Sequence, residues 1–199
     1  MSDFLTVQTQ SAWRKTLFRF AEWCAPSPGW RTLDVGCGPG LLPAYFGKLG
    51  CQAYGVDLDE GGLQYPLHHQ LACADALALP FAEKCFELVS MTNLLFLLEH
   101  PLEALLEARR VLVEGGILCT LNPSEHLTRN QARETAERHA LQGADRESLL
   151  NWAARAEQGQ RWNEAETAQL FRTAGFACVE TILKMDVGLA RFSRGILRA

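Results

Sequence analysis

The sequence predicts an α/β fold: a doubly wound, mostly parallel sheet of seven strands that ends in an antiparallel hairpin. Three observations carry this. Short apolar runs at 31–35, 52–56, 71–74, 86–91 and 117–121 alternate with segments of helical periodicity, and parallel strands need crossover connections of that kind. The first run ends in the glycine-rich turn Gly36-Cys37-Gly38-Pro39-Gly40, which opens a helix. The last two runs, 176–185 and 188–197, are separated only by Asp186 and Val187, a link short enough to permit only an antiparallel pair.

The elements follow in order. An amphipathic helix is expected over 11–24, inside an N-terminal segment 1–30, and the turn Pro26-Ser27-Pro28-Gly29 delivers the first strand. A helix over 39–49 is closed by Gly50, and the second strand runs up to Asp57. Pro101 suits the first position of a helix, where its missing N–H costs nothing. Leu102, Leu105, Leu106 and Leu112 keep helical spacing from there to Gly115-Gly116. Residues 123–162 turn charged and alanine-rich, and read as a helical insertion with Asp145 as an N-cap ahead of Leu149, Leu150 and Ala153. A capping box, Asn163-x-x-Glu166, then starts a helix that Gly175 ends.

Composition narrows the function classes. A chain of 199 residues, 48% hydrophobic and 21% charged, fits a single globular domain over 1–199. Its 23 acidic and 19 basic residues give a formal charge of −4, so no overall basic field exists to gather nucleic acid. The longest apolar stretch, Leu88 to Leu98, is interrupted by Ser90, Thr92 and Asn93 and does not predict a membrane span. The opening MSDFLTVQTQ has neither a basic nor an apolar leader region, and a cytoplasmic location is expected. Seven cysteines are scattered without a C-x-x-C pair, and the five histidines have no partner at ligand spacing, so neither disulfide nor metal is expected.

The glycine turn is the place to look for chemistry, because open α/β sheets bind ligands beyond the carboxyl ends of their strands. A dinucleotide-binding turn would be G-x-G-x-x-G, and Leu41 stands where its third glycine would be. Asp34, just ahead of the glycines, would oppose a phosphate and attract an ammonium or sulfonium group.

The run Leu33-Asp34-Val35-Gly36-Cys37-Gly38-Pro39-Gly40 closely resembles motif I of class I S-adenosylmethionine-dependent methyltransferases. Other elements fall in that family's order: Val56-Asp57, Ala74-Asp75-Ala76-Leu77 with Leu79-Pro80-Phe81, Phe86-Glu87-Leu88-Val89, and Glu107 to Leu112 before Gly115-Gly116. The similarity is greatest to the small "type 11" subgroup, which includes enzymes that C-methylate quinone rings. It implies a Rossmann-like fold and S-adenosylmethionine as cofactor, with S-adenosylhomocysteine as product. It further implies that Gly36, Cys37, Gly38 and Gly40 form the loop against the methionine part, with Asp34 supporting the amino group. Asp57 would accept both ribose hydroxyls, a role for which two carboxylate oxygens are suited, and Leu58 would lie on the adenine face. Asp75 would take the adenine amino group, Ala76 would offer an N–H to the ring, and Thr92 and Asn93 would approach the methionine ammonium. Plainer roles stand beside these: Asp57 as a turn former, Asp75 as a helix cap, and His100 as a neighbour of the cap before Pro101. Tyr65, His68 and His69 fall either on the pocket rim or in solvent.

No catalytic residue is assigned, since the cofactor carries both the methyl group and its leaving group and the protein mainly positions and excludes water. After the fourth strand, Ser90-Met91-Thr92-Asn93 lacks the Pro-Pro-aromatic motif of nucleic-acid amino-methylating enzymes and the Pro-Cys of cytosine C5 enzymes. A small-molecule acceptor is expected, with Leu127, Leu149, Leu150 and Trp152 of the insertion forming either a lid or a packed helical pair. A noncatalytic cofactor-binding protein and a Rossmann-type oxidoreductase are the two competing readings.

Overall fold

The computed structural model describes residues 13–64 and 66–198; the expected helix start at Ser11 and the rim residue Tyr65 lie outside the described residues. Seven strands form one sheet in the order β3-β2-β1-β4-β5-β7-β6. They are β1 (Arg31–Val35), β2 (Gln52–Asp57), β3 (Leu71–Cys73), β4 (Phe86–Thr92), β5 (Leu112–Pro123), β6 (Phe176–Lys184) and β7 (Ala190–Leu197). The first five are mutually parallel, and β7 is antiparallel to both β5 and β6. The chain builds outward through β1, β2 and β3 and then returns to place β4 on the other side of β1. That reversal opens a crevice at the carboxyl ends of β1 and β4.

Strand alternation sorts the core into two layers. Leu33, Val35, Val89 and Met91 face one side, where α3 (Pro101–Val111) and α6 (Glu164–Thr173) supply Leu105, Ala108 and Phe171. Leu88, Leu121 and Phe192 face the other, under α1 (Trp13–Cys24) and α2 (Leu41–Lys48), with Leu17, Phe20, Leu42 and Phe46. A satellite cluster, Leu127, Ala132, Ala136, Ala153 and Ala156, joins α4 (Arg129–Arg138) to α5 (Gly143–Ala156). No described helix is long and apolar enough to cross a membrane.

Several boundaries differ from the sequence reading, each for a local reason. Helix α3 stops at Val111, not at the glycine pair, because Leu112 turns extended (φ −77, ψ 142) and pairs with Phe86 at the start of a long β5. Gly115 and Gly116 instead lie in the irregularity that shifts the β4/β5 register between Phe86 and Leu88, Gly115 at φ +76. Helix α2 begins at Leu41, with Gly40 as a left-handed N-cap (φ 85, ψ 30). Asp145 is not a cap: α5 starts two residues earlier, and Asp145 sits in its first turn, where the helix dipole favours an acid. The β6–β7 link is also longer than two residues, running from Met185 to Leu189 with positive φ at Met185, Asp186 and Gly188. The capping box is complete as read: the Glu166 N–H donates to Asn163 Oδ1 at 3.0 Å and the Asn163 N–H to Glu166 Oε2 at 2.9 Å.

Candidate active site

Above the crevice lies an open cavity of about 1020 Å³. Its floor is made of strand ends: Val35 and Gly36 after β1, Asp57 and Leu58 after β2, Ala74 to Ala76 after β3, and Thr92 to Leu94 after β4. Of the residues expected to hold a cofactor, Gly36, Asp57, Leu58, Asp75, Ala76, Thr92 and Asn93 therefore come together on one surface.

The glycine turn is held from within. The Gly36 and Cys37 N–H groups both donate to the Val56 carbonyl at 2.8 and 3.0 Å, and the Gly40 N–H donates to the Cys37 carbonyl at 3.0 Å. The Gly38 N–H donates to Asp57 Oδ2 at 2.7 Å, and Pro39 has no N–H to offer. Every amide of the turn is thus spent, whereas a phosphate cradle requires them free to face the anion. The turn therefore disfavours a dinucleotide by its committed amides as well as by Leu41. Glycine is needed at Gly40 for its φ of +85.

Asp57 receives a second bond on Oδ1 from the Asp59 N–H at 2.9 Å. Each of its oxygens keeps acceptor capacity toward the cavity, which suits a vicinal diol. Leu58 is 69% exposed, a bare apolar surface of the kind that a flat ring covers. Asp75 accepts from the Leu77 N–H at 2.9 Å and retains its other oxygen, and the Ala76 N–H has no acceptor among the described residues. These features fit an adenosyl group.

Asp34, Cys37, Gly38 and Gly40 do not line the cavity. Asp34 alternates to the α1/α2 side of β1, where it is 1% exposed and lies directly opposite Ser90 on β4. The Ser90 hydroxyl donates to Asp34 Oδ1 at 2.7 Å. Burial pushes the Asp34 carboxyl up to about 8, the Ser90 bond lowers it in part, and the Asp57 charge adds to the rise. Asp34 stands beneath the turn and not in the cavity, where the sequence argument places it beside a cation. Cys37 is 2% exposed and its thiol fills the space left by the missing side chain of Gly55. Burial, with the nearby Asp34 and Asp57 charges, pushes that thiol well above the ordinary range. His68 is not on the rim either; its Nε2 lies 2.7 Å from the Ala53 carbonyl. His100 occupies the N-cap of α3 without a side-chain cap bond.

The insertion forms the roof. Leu149 and Trp152 face the cavity, while Leu127 is sealed between α4 and α5. Trp152 Nε1 donates to Asn93 Oδ1 at 2.9 Å, and the Trp152 ring lies 5.5 Å from that of Trp13. Asn93 is held at φ +55 with its N–H on the Leu121 carbonyl. The sequence reading missed the contribution of α1, whose Trp13, Lys15, Thr16 and Arg19 line the cavity, and of Arg155 and Gln158 at the end of α5. The only local sign was the helical spacing of Lys15 and Arg19, which any solvated helix face shares.

Residues 33–120 match the family described as "Methyltransferase domain". Over those residues the chain is similar to methyltransferases of that family. A ubiquinone/menaquinone biosynthesis C-methyltransferase of Ruegeria sp. is 31% identical over 137 residues, which cover 63% of this chain and 54% of that protein. The chain thus spans about half the length of that relative. A protein of the same name from Cereibacter sphaeroides is 28% identical over 217 aligned residues, covering 98% of this chain and 84% of its own. The fold is shared with phosphoethanolamine N-methyltransferase 2 of Haemonchus contortus, solved in complex with S-adenosyl-L-methionine. That match has a TM-score of 0.69 at 15% identity and covers 93% of this chain and 53% of the other.

Proposed function

We propose that this chain transfers a methyl group from S-adenosylmethionine to a small acceptor with an apolar ring body, the class to which the quinone methyltransferases it resembles point. The observation that carries the reading is the continuity of one cavity from Asp57 and Asp75 at the strand ends to Leu149 and Trp152 under the insertion. Cofactor and acceptor would share it and meet near Thr92 and Asn93.

The residues take distinct parts. Asp57 holds the ribose hydroxyls while it fixes the turn through Gly38, so that cofactor binding and turn geometry depend on one carboxylate. Asp75, Ala76 and Leu58 hold the adenine. Gly36 passes its backbone along the methionine part, and Cys37, Gly38, Gly40 and Asp34 shape that backbone from below without touching it. Trp152 fixes the Asn93 side chain and closes the roof, which excludes water from the transfer. The cofactor supplies an electrophilic methyl group and a neutral thioether as leaving group. The protein's share is positioning.

The test is turnover of methyl-labelled S-adenosylmethionine with a panel of quinols and phenols. Label should appear in a ring acceptor, and Asp57→Ala should weaken cofactor affinity by about 1.5–3 kcal/mol, as expected for hydrogen bonds to a charged group. Cofactor binding without transfer to any member of the panel would count against the acceptor class and favour a noncatalytic cofactor-binding protein.

A further inference from the structure

The charged groups around the cavity are not mixed at random. At the strand-end floor stand the carboxylates Asp57 and Asp75. Three cations, Lys15 and Arg19 on α1 and Arg155 on α5, line the roof side, and all three are exposed. None of the three has a carboxylate within ion-pair distance among the described residues. Two acids line the same side: Asp145 on α5, which is not without a partner, and Asp186, which is held by Arg138 at 2.6 Å, by the Thr135 hydroxyl at 2.9 Å and by His139 at 3.3 Å. Burial raises the Asp186 carboxyl, but those bonds and the Arg138 charge outweigh it and keep the group below its ordinary range. It is therefore ionised and committed elsewhere.

In a chain of net charge −4, three cations lining one cavity without a carboxylate at ion-pair distance outnumber the two acids on their side and give it a positive field of opposite sign to the whole molecule. Between them and the floor lie apolar surfaces: Trp13, Trp152, Leu149, Leu97 and Met185. Guanidinium groups are also the cations best shaped for paired hydrogen bonds to an oxyanion.

We propose that the acceptor carries an anionic group, a carboxylate or comparable oxyanion, which Arg19, Arg155 and Lys15 hold while its apolar body lies against Trp13, Trp152 and Leu149. This rests on the reading of the cavity as a shared cofactor and acceptor site. It adds a polarity to that site: the cationic cofactor lies at the acidic floor, and the anionic end of the acceptor at the basic roof. Acceptors lacking the anion would bind through the ring alone.

The experiment compares two fluorescent probes with the same ring system, anilinonaphthalene sulfonate and the uncharged phenylnaphthylamine. Each is titrated with and without saturating S-adenosylhomocysteine. Binding of S-adenosylhomocysteine itself is measured separately by calorimetry. The sulfonate probe should bind at least about tenfold more tightly than the uncharged one, with the advantage shrinking as salt screens it. The double variant Arg19→Gln, Arg155→Gln should bring the two probes to near equality while calorimetry shows an unchanged cofactor site. The variant Arg133→Gln, Arg172→Gln, which removes the same charge from exposed positions outside the cavity, should leave the difference intact. Equal binding of the two probes, no binding of the sulfonate, or equal losses in both double variants would overturn the proposal. Failure of S-adenosylhomocysteine to bind would instead remove the cofactor reading, and the probe comparison without it would still decide whether the roof selects an anion.

Discussion

Asp34 and Asp57 are two carboxylates a short way apart in sequence whose surroundings set them to different work. Asp57 stands at the mouth of the crevice and spends one bond on each side of a turn, through the Gly38 and Asp59 amides. Asp34 lies beneath the turn, sealed from solvent with one bond from Ser90, and is raised from an ordinary value of 3.8 to about 8. Because the folded protein holds this proton more tightly than the unfolded chain does, the native state carries the extra proton between those two values. The stabilisation is complete below the lower value and is lost as pH rises through the upper one. Stability should therefore fall from about pH 4 to 8 in the wild type. Asp34→Asn keeps an acceptor for Ser90 without a titrating group, and its stability curve should be flatter over that range in urea unfolding at stepped pH. Parallel curves would show that Asp34 titrates normally. The sequence marked Asp34 as a member of the motif, but its side of the sheet follows from strand alternation combined with the β1/β4 register, and the sequence alone does not give that register.

At the scale of elements, the insertion is tied to the cofactor side of the molecule at two points. One is the Trp152–Asn93 bond, made between residues 59 apart in sequence. The other is the turn after α5, where a Cβ on Gly159 would collide with the Phe96 carbonyl and come within 3.1 Å of the Phe96 ring. A backbone carbonyl cannot move aside as a flexible side chain can. Gly159→Ala should therefore destabilise the fold by roughly 1–3 kcal/mol, in the range of overpacked sites, as measured by denaturant unfolding. A change within about 0.5 kcal/mol, the ordinary effect of a surface substitution, would mean that this turn does not pack on the segment after β4. Helices and strands with strong local signals were readable in the sequence: the Asn163 capping box, Pro101 at a helix start, the β1 turn. The end of α3 was not, because Leu112 fits both the helical spacing of Leu105 and the ladder with Phe86, and the sheet decides between them.

Over the whole molecule, strand order brings Gly36, Asp57, Leu58, Asp75, Ala76, Thr92 and Asn93 to one end of the sheet. The crevice exists because β4 returns beside β1, so that Gly36, Asp57, Asp75 and Thr92, spread across the first half of the chain, share a surface. That much followed from the alternation of strands and helices and from the resemblance of the motifs. What did not follow was the opposite wall, since the packing of α1 against α5 across Trp13 and Trp152 joins residues 139 positions apart in sequence, and no local pattern announces it. The central claim is that the floor of this cavity is made for an adenosyl cofactor and not for a dinucleotide, because the amides of the turn are all committed. A thermal-shift titration with S-adenosylhomocysteine and NAD side by side tests it most directly. A ligand at one hundred times its dissociation constant adds about 2.7 kcal/mol, and a domain of this size gains roughly 2–4 °C per kcal/mol. The account predicts a rise of several degrees with S-adenosylhomocysteine and none with NAD, whereas a rise with NAD alone would contradict it.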